Sequence, residues 1–179
     1  GTKSAERIIL DGLYALEYRG YDSAGMAIAG PCGKIVKIKC RGRVSELEKE
    51  AAAENCSGSC GIGHTRWATH GAPTKENAHP HSSDTLTLVH NGIIDNCLNI
   101  KEELEKEGYV FVSDTDTECI AHLTDREYKK LGDPAAALYS ACERLRGSYA
   151  LAVIFNDRPN EVYAVRKDNP LILAIAEDG

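Results

Sequence analysis

Within nine residues, Gly63-His64-Thr65-Arg66-Trp67-Ala68-Thr69-His70-Gly71, the chain sets a fixed cation, two imidazoles and an indole donor between glycines. A strand has no need of that mixture, whereas a ligand site does, and the glycines let the backbone bend and approach a ligand closely. A second polar knot, Val89-His90-Asn91-Gly92-Ile93-Ile94, follows an alternating run, and a third, Ser113-Asp114-Thr115-Asp116-Thr117-Glu118, opens a helix. Arg66 suits a carboxylate, because its planar fork donates two parallel hydrogen bonds. Asp116, near a helix start, suits an α-ammonium. Together they would hold a free amino acid by its zwitterionic end. Taken singly, Arg66 reads equally as half of a structural ion pair, and Asp116 as a residue favoured at a helix N-terminus. Asn91-Gly92 offers a side-chain amide and a backbone N–H to a developing oxyanion, and it is also the commonest two-residue turn signal. His79-Pro80-His81 invites a metal, yet no carboxylate or cysteine stands beside it at ligand spacing, so no metal is expected.

The elements that must position these knots follow from periodicity. Residues 3–18 form an amphipathic helix with Ile9, Leu13 and Leu16 on one face, and 26–29 and 34–40 form a hairpin across the turn 30–33. A charged helix over 44–55 precedes a small-residue strand, 60–65, that delivers the first knot. Residues 72–83, with two prolines and two histidines, have no period and read as a loop of functional length. The strand 85–89 delivers the second knot. Helices follow over 96–108, with Leu98, Ile100 and Leu104 inward, over 115–131, opened by a Thr115/Glu118 capping box, and from Asp133-Pro134 to Gly147. Three strand-like runs close the chain: 149–155, apolar on both faces, then 161–166 and 171–176. This order resists a repeating βαβ pattern and favours α+β architecture, with stacked antiparallel sheets between helix layers.

The chain has 179 residues, 42% of them apolar and 27% charged, and a net charge of −6, which suits one globular domain, whole or cut from a longer protein. Acidic and basic residues are interspersed, leaving no basic stripe for nucleic acid and no polybasic patch for a membrane surface. No apolar run is long enough to span a bilayer. The seven cysteines, odd in number and without a metal-type CxxC pair, suit a reducing cytoplasm.

Five stretches carry a family resemblance: Leu16 to Gly25 (LEYRGYDSAG), His64 to Gly71, Asn77-Ala78-His79-Pro80-His81, His90-Asn91-Gly92-Ile93-Ile94 and Asp114-Thr115-Asp116-Thr117-Glu118. The chain resembles the glutaminase domains of the glutamine:fructose-6-phosphate aminotransferase family, class II glutamine amidotransferases of the N-terminal nucleophile hydrolase superfamily. The resemblance implies a four-layer αββα sandwich and hydrolysis of the glutamine amide. The ammonia released would serve glucosamine 6-phosphate synthesis from fructose 6-phosphate. It makes Arg66 the glutamine carboxylate clamp and Asp116 the ammonium partner, with Trp67, Thr69 and His70 lining the pocket. Asn91 and Gly92 become the oxyanion hole, and His79 lies toward the sugar-phosphate isomerase domain. No cofactor is implied. A homodimer through the full-length protein and a cytoplasmic location accord with it.

The family's nucleophile is a cysteine at the extreme N-terminus, whose own α-amine is the base, whereas residue 1 here is glycine. Cys60 cannot substitute, since its nitrogen is locked in a peptide bond. The expectation is a glutaminase domain over 1–179 that lacks its nucleophile segment, its first strand and its C-terminal end. The alternative is a catalytically inert glutamine-binding module.

Overall fold

The computed structural model describes residues 4–30, 33–54, 56–67 and 71–175. Ser23–Ala29, a run without a charged side chain, forms β1 and is buried along its whole length. It sits between β2 (Ile35–Arg41) and β3 (Cys60–Arg66), antiparallel to both. The second sheet has the order β4 (His81–Ser82), β5 (Leu86–Ile94), β6 (Gly147–Phe155), β7 (Tyr163–Lys167), again antiparallel throughout. Ala27, Ile62, Val89 and Ile154 meet between the sheets and form one apolar cluster.

Helices cover the outer faces. On the first sheet lie α1 (Ala5–Leu16) and α2 (Val44–Ala53), which bury Leu10, Leu13, Leu47 and Ala51 against Met26, Ile28 and Ile38. The small-residue character of β3 has its reason here. A Cβ on Gly63 would stand 2.4 Å from Ile9 Cγ2, so only glycine lets α1 lie directly on the strand. On the second sheet lie α3 (Cys97–Lys106), α4 (Asp116–Leu131) and α5 (Pro134–Arg144), packed on Leu86, Leu88, Leu151 and Phe155. The result is the four-layer αββα sandwich of two antiparallel sheets that the sequence leads one to expect.

The central helix, α4, is buried from Thr117 to Tyr128 between β5, α3 and α5, so its polar side chains must find partners inside the protein. Arg126 pairs with Glu103, Glu107 and Glu127, and Asp125 accepts from Thr85 and Tyr109 and pairs with Lys129.

Several expectations need correction. Leu98, expected inward, is 71% exposed, because α3 turns Ile100 and Leu104 to the core instead. Leu16 likewise lies outside the α1 stripe, 47% exposed. Thr115 does not cap α4. Its hydroxyl goes to His81 Nε2 and Ser113 Oγ, while Glu118 accepts from the Val112 and Ser113 amides. The last helix ends at Arg144 rather than at Gly147, which opens β6. Residues 171–175 form no strand. Asp168, with φ 57°, turns the chain off β7, and Ile172, Leu173 and Ile175 are left exposed, with no pairing neighbour among the described residues.

Candidate active site

The first and second knots sit on strands that face each other across the sandwich. Strand β3 ends on Arg66, while β5 continues through the second knot to Ile94. The N-terminus of α4 closes the same end from the outer layer. Between them opens a cavity of about 480 Å³, whose walls include His64, Arg66, Trp67, His79, His90, Asn91, Gly92, Asp116 and Thr117. Six of the eight residues singled out from the sequence therefore share one cavity: Arg66, Trp67, His79, Asn91, Gly92 and Asp116. The other two, Thr69 and His70, lie outside the described residues.

Arg66 is 5% exposed and donates from Nη1 to the Ala72 carbonyl and from Nη2 to that of Gly71, both at 3.3 Å. Burial pulls its pKa down from the ordinary arginine value, and the negative charges of Asp22 and Asp116 oppose that. The guanidinium and the Asp116 carboxylate thus sense each other across the cavity. Asn77, 2% exposed, ties the Arg66 loop to the start of α4. Its amide nitrogen donates to Ala72 O (3.0 Å) and Asp114 Oδ2 (3.2 Å), and its oxygen accepts from the Asp114 amide (2.9 Å). In the sequence Asn77 stood out only as part of the stretch Asn77 to His81 that carries the resemblance, with no role of its own; in the fold it links the Ala72 carbonyl, which Arg66 also contacts, to Asp114 just before α4.

Asp116 accepts from the Ile94 amide at Oδ2 (2.8 Å), and 17% of its side chain is exposed. Asn91 and Gly92 are not a turn. They pair with Ala150 and Tyr149 inside the β5–β6 ladder, which removes the turn reading of the dipeptide. Gly92 has φ +143°, conformational space that non-glycine residues rarely enter. Asn169, just past β7, donates to the Asn91 carbonyl at 2.8 Å and lines the cavity. No local signal marked it.

Trp67 stands 57% exposed at the rim, edge-on to Tyr21 with ring centroids 5.7 Å apart. The resemblance places His79 toward a partner domain; here the side chain is 6% exposed and turned inward. Its Nδ1 lies 3.0 Å from His64 Nδ1, and its Nε2 lies 2.8 Å from Thr117 Oγ1. His90 Nδ1 reaches the same hydroxyl at 3.1 Å. Among the described residues, no group of three or more histidines, cysteines, aspartates or glutamates is arranged to hold a metal ion.

Burial depresses the basicity of His64, His79 and His90, and of His81 beside them: His64 to about 4, His81 to about 3, His79 well below its ordinary value, and His90 downward against the pull of Asp116. The unfolded chain takes up protons near the ordinary histidine value of about 6.5, the folded chain only at lower pH. The stabilisation is therefore complete above about pH 6.5 and is lost as the pH falls toward the folded values. Unfolding free energy from urea titration should drop by about 2 kcal/mol for each imidazole that stays neutral between about pH 7 and about pH 5. A flat profile over that window would show that the imidazoles are not held neutral.

The comparisons with known proteins agree with this geometry. A family model described as "Glutamine amidotransferase domain" matches residues 64–178. The glutamine–fructose-6-phosphate aminotransferase (isomerizing) of Clostridium acetobutylicum is 49% identical over 181 residues, covering 100% of this chain and 29% of that protein. The protein of the same name from Pyrococcus horikoshii is 50% identical over 179 residues, covering 99% and 30%. The chain thus spans less than a third of the length of these curated relatives. Among solved structures, the glutamine phosphoribosylpyrophosphate amidotransferase of B. subtilis, complexed with ADP and GMP, superposes with a TM-score of 0.73 at 30% identity, over 87% of this chain and 34% of that one. Sequence match, layered fold and shared cavity meet in one conclusion: the chain belongs to the glutamine amidotransferase domain family.

Proposed function

We propose that residues 1–179 are the glutamine-hydrolysing domain of a cytoplasmic glutamine:fructose-6-phosphate aminotransferase. Its nucleophilic cysteine would lie on a segment preceding residue 1, and its sugar-phosphate isomerase domain beyond residue 179. The observation that carries this reading is that Arg66, Asp116 and the Asn91–Gly92 pair line one cavity. Arg66 binds the α-carboxylate of glutamine and Asp116 its α-ammonium, with Trp67 in the cavity wall. The cysteine thiolate attacks the side-chain amide carbon, its α-amine having taken the thiol proton. Negative charge then builds on the former carbonyl oxygen, where the Asn91 amide and the Gly92 N–H receive it. The proton passes to the departing nitrogen, ammonia leaves, and water hydrolyses the thioester to glutamate. The ammonia goes to the isomerase domain, which makes glucosamine 6-phosphate from fructose 6-phosphate.

The test compares this polypeptide with one extended at its N-terminus to begin with a mature cysteine. Glutamine binding is followed by calorimetry and ammonia release by assay. Binding by both chains with ammonia released only by the extended one is the expected result. Binding without ammonia release from either would establish the second reading, an inert glutamine-binding module, and absence of binding from both would overturn the assignment.

A further inference from the structure

Thr117, the second residue of α4, is 1% exposed, and hydrogen bonds from three sides of the cavity meet on its hydroxyl. The hydroxyl lies 2.8 Å from His79 Nε2, 3.1 Å from His90 Nδ1 and 3.4 Å from Asp116 Oδ1. A hydroxyl has one proton and two lone pairs, so it can donate to only one of three neighbours, and the other two must donate to it. A carboxylate only accepts. If Thr117 donates to Asp116, both imidazoles donate to Thr117. A neutral imidazole carries a single proton, so His79, protonated at Nε2, then has a bare Nδ1 that accepts from His64 Nδ1–H across 3.0 Å. Every contact in the cluster is thereby matched. His90 Nε2 has no partner among the described residues in either arrangement. The carboxylate decides: a hydroxyl that gave its proton to either imidazole would leave its contact with Asp116 Oδ1 without a proton.

We propose that Thr117 is a positioning residue for amino-acid binding: it gathers hydrogen bonds from two neutral imidazoles and passes one to Asp116 Oδ1, fixing the carboxylate that faces the substrate ammonium. The Ile94 amide holds the other oxygen, Oδ2, at 2.8 Å, so both ends of the carboxylate are tied while its outer lone pairs remain turned to the cavity. The chain of donors runs in one direction, from His64 through His79 to Thr117, with His90 joining there, and ends on the negative charge. It explains why three imidazoles distant in sequence are gathered near one carboxylate. The proposal rests on the amino-acid reading of the cavity.

Two measurements on this polypeptide test it. Long-range ¹⁵N–¹H correlation spectra of histidine-labelled protein report which ring nitrogen holds the proton. The expected pattern is Nδ1 for His64 and His90 and Nε2 for His79. In calorimetry, Thr117→Val should weaken glutamine binding about 10- to 100-fold, and Thr117→Ser, which keeps the hydroxyl, should restore it to within about threefold of the parent. A His90 protonated at Nε2 in the parent, or a Thr117→Val protein that binds glutamine as the parent does, overturns the proposal. Should Thr117→Val fail to fold, the tautomers and the serine variant decide. Absence of glutamine binding by the parent would overturn the amino-acid reading itself, and so is distinguishable from failure of the Thr117 role alone.

Discussion

A Gly92→Ala variant is expected to lose roughly 4 kcal/mol of unfolding free energy and to bind no glutamine. Two independent effects add at this position. The backbone stands at φ +143°, where an L side chain is strained by about 1–3 kcal/mol. A new Cβ would also stand 2.0 Å from Ser148 O and 2.8 Å from Tyr149 Cα, both main-chain atoms of β6 that cannot swing aside like a flexible side chain. Relief requires β5 to separate from β6 at the residues that carry the Asn91–Gly92 pair, so stability and binding fall together. Gly12, on the exposed face of α1 with nothing within 4 Å of its added Cβ, supplies the control. Gly12→Ala should be neutral or stabilising by up to about 1 kcal/mol, as a glycine-to-alanine change in a helix interior is. Urea denaturation of the two variants side by side measures the difference, and equal stabilities would show that the strand does not need glycine at 92.

Arg66→Ala should weaken glutamine binding by at least about a hundredfold, close to 3 kcal/mol, because a charge-assisted fork to the α-carboxylate is lost from a guanidinium that is itself buried. Arg66→Lys should fall between, since an ammonium keeps the charge and gives up the two-point geometry. Calorimetric dissociation constants for the three proteins give the answer. An unchanged affinity in the alanine variant would mean that the guanidinium serves only the Gly71 and Ala72 carbonyls it also contacts.

How far the sequence reached depends on how local each question was. The stripe of α1 was legible in part: the spacing marked Leu13, which is buried, and Ile9, which is half-buried, but it missed Leu10 and took in the exposed Leu16; β1 was legible over 26–29, whereas 23–25 belong to the strand and read as a polar turn. The α+β class followed from element order alone. Leu98 shows where local periodicity stops: its spacing suits either edge of the α3 stripe, and only the contact of α3 with α4 decided which edge would be covered. The apolar run 171–175 has the composition of a strand, but a strand forms only against a neighbour, and none lies beside it among the described residues.

The site divides along the same line. Residue types by themselves identified a cation, an acid and an amide pair suited to one amino acid, because that chemistry depends on functional groups and the motifs keep those groups intact. Whether Asn91-Gly92 turned a hairpin or ran on inside a ladder was settled only by register against β6, some sixty residues away in the chain. The burial of residues 77–81 within the 72–83 loop, the inward turn of His79 and the meeting of His64, His79 and His90 around Thr117 belong wholly to the tertiary structure. Sequence determines which groups the chain can offer, since side-chain chemistry is local. Their distances, tautomers and depressed basicities arise only when the two sheets and the start of α4 close around them and remove the water.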